Sequence, residues 1–186
     1  MSSFLFSKCK TEYFNVNNSI SYTLIGDYIS ELFRKEKIEN KNVVVLCIGT
    51  DRATGDCLGP LVGRSLIASN CNCIVYGSLE KPVHALNLSN VIYNIHKEID
   101  NPFIVAVDAS LGDKSHIGYI TVSNCPISPG KGVNKNLPPV GDISITGIVN
   151  IAGKSPALLQ STRLNTVMTL SDYIANAIIY AIDYVS

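Results

Sequence analysis

The 186-residue sequence carries 15 Lys plus Arg against 15 Asp plus Glu, so it has no electrostatic excess to draw nucleic acid or an anionic membrane. Hydrophobic residues make up 46% and charged residues 16%, below the roughly 25% charged usual for soluble domains; this excludes disorder and fits a buried sheet with covering helices or a self-associating homo-oligomer. The opening MSSFLFSKCK has too short an apolar run for a signal peptide, and no stretch reaches membrane-spanning length, so a cytoplasmic protein is expected.

Residues 1 to 18 lack a clear period and read as an extended N-terminal arm. From 19 to 36, Ile25, Tyr28, Ile29, Leu32 and Phe33 recur at three- and four-residue steps, which predicts an amphipathic helix with Ser19 able to cap its start and Arg34, Lys35 and Lys37 at its end. VVVLCIGT at 43 to 50 is a continuous β-branched run, as expected of a strand covered on both faces. A helix over Leu58 to Ile67, a short strand over Cys73 to Tyr76 and a helix over Asn87 to Ile99 continue a βαβ rhythm. FIVAVDAS at 103 to 110 is a second fully apolar strand, ended by Asp108. A strand is expected over 117 to 123, an irregular Pro-, Gly- and Asn-rich loop over 124 to 141, and a strand over ISITGIV at 143 to 149. Leu164, Val167, Ile174, Ile178, Ala181, Ile182 and Val185 mark a long C-terminal helix. The expected fold is therefore one α/β domain over 1 to 186, a three-layer sandwich with a mostly parallel central sheet.

The six cysteines, at 9, 47, 57, 71, 73 and 125, are scattered without the dense spacing of a disulfide scaffold, so reduced thiols are expected. Cys71-Asn72-Cys73 is too close for a zinc knuckle. Gly153-Lys154-Ser155 lacks the glycine that a phosphate loop needs five positions before Gly153, where Ile148 stands.

In open α/β sheets, ligands bind beyond the carboxyl ends of the strands. Asp56, in GTDRATGDCLGP, and Asp108 both belong to that edge. If their strands are neighbours, the two carboxylates face one cleft as a paired acid and base or as a metal site; otherwise Asp56 caps a helix and Asp108 satisfies a turn. Glu80 is the stronger neighbour candidate in the loop after the second strand, and His84 the weaker. Cys57 reads as a buried helix thiol.

Gly49 through Pro60 resembles the strand-loop segment of hydrogenase-maturation endopeptidases, with Asp56 at their acidic metal ligand. The resemblance to germination protease is closer: Asp56-Cys57-Leu58-Gly59-Pro60 is similar to its Asp-x-Leu-Gly-Pro, Asp108-Ala109 to its strand-end Asp-Ala, and Pro129-Gly130-Lys131-Gly132-Val133 to its Pro-Gly-x-Gly-Val loop. The chain as a whole looks like the small sporulation proteins called YyaC-like. The resemblance implies a hydrogenase-maturation-protease-like fold and a sporulation-associated endopeptidase of the forespore or spore core, acting on protein or peptide, with small spore proteins as a substrate class. It implies catalytic Asp56 and Asp108, and substrate contacts at Gly49, Thr50, Asp51, Gly130 and Gly132; Glu80 joins these substrate contacts from its loop position alone, where its plain reading is a solvated carboxylate. No cofactor is expected; the alternative is a divalent metal at Asp56 and Asp108. The chain is far shorter than germination protease, has no counterpart of its propeptide, and has no histidine at the endopeptidases' ligand position. The competing reading is a non-catalytic sporulation scaffold that binds a peptide at the same edge.

Overall fold

A computed structural model describes residues 9–18, 21–129, 138–153 and 157–185. Among the described residues, six strands form one sheet: β1 (Thr11–Asn15), β2 (Asn42–Cys47), β3 (Ile74–Tyr76), β4 (Pro102–Gly112), β5 (Tyr119–Ser123) and β6 (Ile143–Ile151). Their order across the sheet is β1-β5-β6-β4-β2-β3. The four strands β3, β2, β4 and β6 run parallel; at one side β5 pairs antiparallel with β6, and β1 antiparallel with β5.

The β-branched runs of β2 and β4 lie at the centre because they can be covered on both faces. On one face, α1 (Tyr22–Lys35), α2 (Leu58–Ala68) and α5 (Leu164–Val185) pack over Val45, Phe103, Val105, Ile143 and Ile145. Phe33 of α1 meets Phe103 of β4 edge-on, with ring centroids 5.8 Å apart. On the other face, α3 (Leu88–Glu98) places Leu88 and Ile95 against Val44, Leu46, Ile48, Ile104 and Ala106. This is a three-layer α/β sandwich with a mostly parallel sheet. No helix among the described residues is long and apolar enough to cross a membrane.

Several sequence expectations change in detail. The first helix starts later, and Ser21 is its cap, its Oγ accepting from the Thr23 amide at 3.2 Å; Ser19 lies outside the described residues. The N-terminal stretch is not a detached arm throughout, since Thr11–Asn15 pairs with β5 as the edge strand. Cys9 and Cys125 are joined as a disulfide across 116 residues, which corrects the expectation of six reduced thiols; Cys47, Cys57, Cys71 and Cys73 are free. A short helix, α4 (Ala157–Gln160), precedes α5. Lys154 and Ser155 of the discarded phosphate-loop segment lie outside the described residues.

Candidate active site

The path from β2 to α2 is set by two glycines. Gly49 has φ +140°, and a Cβ there would lie 2.0 Å from the Asp56 carbonyl oxygen; at Gly59 it would lie 2.1 Å from the carbonyl oxygen of Ile48. Only glycine lets the loop fold back so tightly over the end of the strand. The amide of Gly49 donates to the Val83 carbonyl at 2.7 Å, and that of Thr50 to the Asp56 carbonyl at 3.0 Å. A single 3-10 turn over Thr54–Cys57 then carries Asp56 into α2.

Asp108 arrives from the neighbouring strand. β2 ends its pairing at Cys47 opposite Val107, so Asp108 is the first β4 residue beyond the last β2 rung. It is not the end of β4 itself, because β6 pairs with that strand as far as Gly112. Asp56 and Asp108 thereby line one cleft of about 770 Å³, with Gly49, Thr50, Ala109, Ser110 and His84. The parallel bridge between Ile48 and Val83 extends the sheet and sets His84 there, and the His84 amide is tied to Asn87 Oδ1 at 2.8 Å.

Both carboxyls are held above their ordinary range. Around Asp108, which is half-buried and lines the cleft, crowding protein atoms penalise the charge, and the charge of Asp56 pushes the same way. A 2.8 Å hydrogen bond from the Ala109 amide to Oδ1 works against them without winning. Burial also raises Asp56, offset in part by the Thr50 backbone and the charge of His84. The entrance of a helix favours a carboxylate, yet here desolvation outweighs it. The environment therefore separates the two groups, with Asp108 the better proton holder.

The other candidates divide. Asp51 is exposed and is not among the lining residues, although Thr50 Oγ1 lies 3.5 Å from its Oδ1. Glu80 is exposed and borders a separate cavity of about 610 Å³ beside β3, so His84 and not Glu80 is the loop residue beside the aspartates. Gly130 and Gly132 lie outside the described residues; the preceding part of their loop, Pro126 to Pro129, does line the cleft. Cys57 is buried, and its thiol donates to the Thr54 carbonyl at 2.9 Å. Burial pushes that thiol up, away from a reactive thiolate. Among the described residues, no group of three or more His, Cys, Asp or Glu side chains is arranged to hold a metal ion.

Comparison with known proteins identifies a family. The family described as "Protein of unknown function (DUF1256)" matches residues 13–177. The chain belongs to this family. Within its range of relatives, the protein described as "Uncharacterized protein YyaC" from Bacillus subtilis (strain 168) is 48% identical over 144 residues, covering 76% of this chain and 70% of that protein. Among solved structures, the chain is similar to the [NiFe] hydrogenase maturation protease HycI from Thermococcus kodakarensis KOD1, with a TM-score of 0.49 and 17% identity over 81% of this chain and 98% of that one. That is a likeness in the course of the chain alone. Both aspartates and the whole Gly49 to Pro60 loop fall inside the matched family range.

Proposed function

We propose that this protein is an endopeptidase associated with sporulation, hydrolysing peptide bonds with Asp56 and Asp108 as a paired base and acid. The supporting observation is that two carboxyls from separate elements line one cleft, and that the charge of Asp56 helps hold Asp108 above the carboxylate range. Ionised Asp56 takes a proton from a water as its oxygen attacks the peptide carbonyl carbon. Asp108 gives its proton to the carbonyl oxygen. On collapse of the tetrahedral intermediate, one hydroxyl returns its proton to Asp108 as the carbonyl reforms, the C–N bond breaks, and the leaving amine takes the proton held by Asp56, which restores both groups. The resemblance of Asp56-Cys57-Leu58-Gly59-Pro60 and Asp108-Ala109 to germination protease supports the same reading and suggests small spore proteins as substrates.

Incubation with purified small spore proteins, read by intact-mass spectrometry, tests this. Discrete internal cleavage by the unmodified protein, lost in Asp56→Asn and Asp108→Asn, is expected. Stable binding without any cleavage would favour a peptide-binding scaffold that keeps the fold.

A further inference from the structure

Beyond the acid pair, the cleft continues across the sheet toward β5 and β1, with Leu159 and Gln160 of α4 also among its lining residues. On the α3 side, β2 and the first half of β4 carry the apolar residues Val44, Leu46, Ile104 and Ala106. Farther across, the same face changes chemistry. Thr146 stands opposite Asp108 on β6, and Thr121 stands opposite Thr146 on β5. A second row pairs Ser144 with Ser123, and Ser123 with Thr11 on β1. All five of these residues, with Ser110, line the cleft. The hydroxyls are linked: Ser110 to Thr146 at 3.2 Å, Thr146 to Thr121 at 2.7 Å, and Thr11 to Ser123 at 3.1 Å.

A sheet face covered by a helix is apolar, whereas this one carries hydroxyls along the cleft: Thr11 is exposed, Ser110 and Thr146 are half-buried, and Thr121, Ser123 and Ser144 are buried, with Ser144 Oγ donating to the Cys125 carbonyl at 2.7 Å. Hydroxyls both donate and accept, so they can pair with the alternating N–H and C=O groups of a polypeptide. The described lining residues include Asp56, Asp108 and His84 but no Lys or Arg. Ionised Asp56 would repel an anionic ligand there, and a wholly apolar one would strip water from the hydroxyls without replacing it.

Building on the peptidase reading, we infer that this floor is the substrate-binding half of the cleft, and that it takes an extended peptide segment, free of acidic side chains, on one side of the scissile bond. Its length follows from the sheet. Three strand spacings from β4 to β1, each about 4.8 Å, span roughly 14 Å, which an extended chain crosses in about four residues. The hydroxyls recognise the backbone, so uncharged side chains are broadly accepted over those four positions.

The test uses fluorescence anisotropy of labelled, end-blocked octapeptide mixtures, each with Ser, Lys or Asp fixed at one position, on the wild-type protein, with hydrolysis followed by mass spectrometry in the same samples. Expected is saturable binding of the Ser mixtures, weakened about tenfold by Asp at about four consecutive positions, as loss of roughly 1.4 kcal/mol would give. The double variant Thr121→Val, Thr146→Val replaces both partners of their part-buried hydrogen bond by near-isosteric groups, and Ser110 Oγ keeps the Gly147 carbonyl as acceptor when it loses Thr146, so the fold should persist while binding falls about tenfold. Thr11→Ala, at the exposed rim, should affect only the position farthest from Asp108, and it keeps the test open if the double variant does not fold. Binding with these preferences but no hydrolysis would uphold the groove and sink the peptidase reading. Hydrolysis indifferent to Asp and unchanged in these variants would sink the groove and leave the acid pair standing. Saturable binding of neutral chitotetraose with none of any peptide mixture, or no binding of any probe, would also overturn the groove.

Discussion

The backbone amide of Thr50 donates to the carbonyl oxygen of Asp56 at 3.0 Å, so the loop after β2 is closed on itself at the residue proposed to act as base. Closure depends on the fit of Gly59 against Ile48, where an added Cβ would meet backbone atoms that no rotamer change can move aside. Gly59→Ala should therefore destabilise the protein by about 3 kcal/mol, the upper part of the usual range for overpacking. Urea denaturation monitored by circular dichroism measures this. A loss below about 0.5 kcal/mol would mean that the loop has room to relax.

If the acid pair performs hydrolysis, Asp56→Asn and Asp108→Asn should each reduce cleavage of small spore proteins at least a hundredfold, since general acid–base catalysis contributes about 10²–10⁴-fold. An amide is nearly isosteric with the carboxyl but neither takes nor gives the proton. Activity should persist in the presence of EDTA. Loss with the chelator and recovery with a divalent metal would replace the acid–base assignment by a metal-dependent one at the same carboxylates.

The centre of the sheet was legible because β2 and β4 are apolar on both faces, a pattern that only a covered strand requires. β1 was not, since an edge strand with alternating exposure has one neighbour and a weak hydrophobic signal. The two aspartates could be placed at the sheet's carboxyl edge from their strands alone. Which loop residue joins them could not: the choice of His84 over Glu80 depends on the Ile48–Val83 bridge, a contact between distant segments. The hydroxyl-lined floor was invisible for a related reason, because Thr121 and Thr146 become neighbours only through the register of β5 with β6.

The Cys9–Cys125 link joins the start of β1 to the loop beside the cleft, and its two residues are 116 apart in sequence. Closing so long a loop removes much of the unfolded chain's freedom, so the bond should contribute about 2–5 kcal/mol. Cys9→Ser is expected to lower Tm by roughly 4–20 °C, at the 2–4 °C per kcal/mol usual for this size. Peptide mapping without reductant checks the pairing directly. Recovery of Cys9 and Cys125 as separate alkylated peptides would restore the expectation that both are reduced.

Asp108 makes a prediction about pH that needs no substrate. Its folded-state pKa lies well above the ordinary 3.8, because burial and the charge of Asp56 disfavour the carboxylate. Between these values the folded protein binds more protons than the unfolded chain, so raising the pH through that interval costs stability, which is fullest below the ordinary carboxylate value. Asp56, also raised by burial, contributes in the same direction. Asp108→Asn cannot ionise and loses the penalty at Asp108, so it should be more stable than wild type at pH 7 and approach it near pH 4. Denaturant melts at half-unit steps from pH 4 to pH 8, compared between the two proteins, isolate the contribution from the other titrating groups. A difference that widens in favour of the variant as pH rises is expected. Parallel curves, or a variant that loses ground with rising pH, would show that Asp108 is comfortably ionised in the fold and would remove it from the role of proton donor.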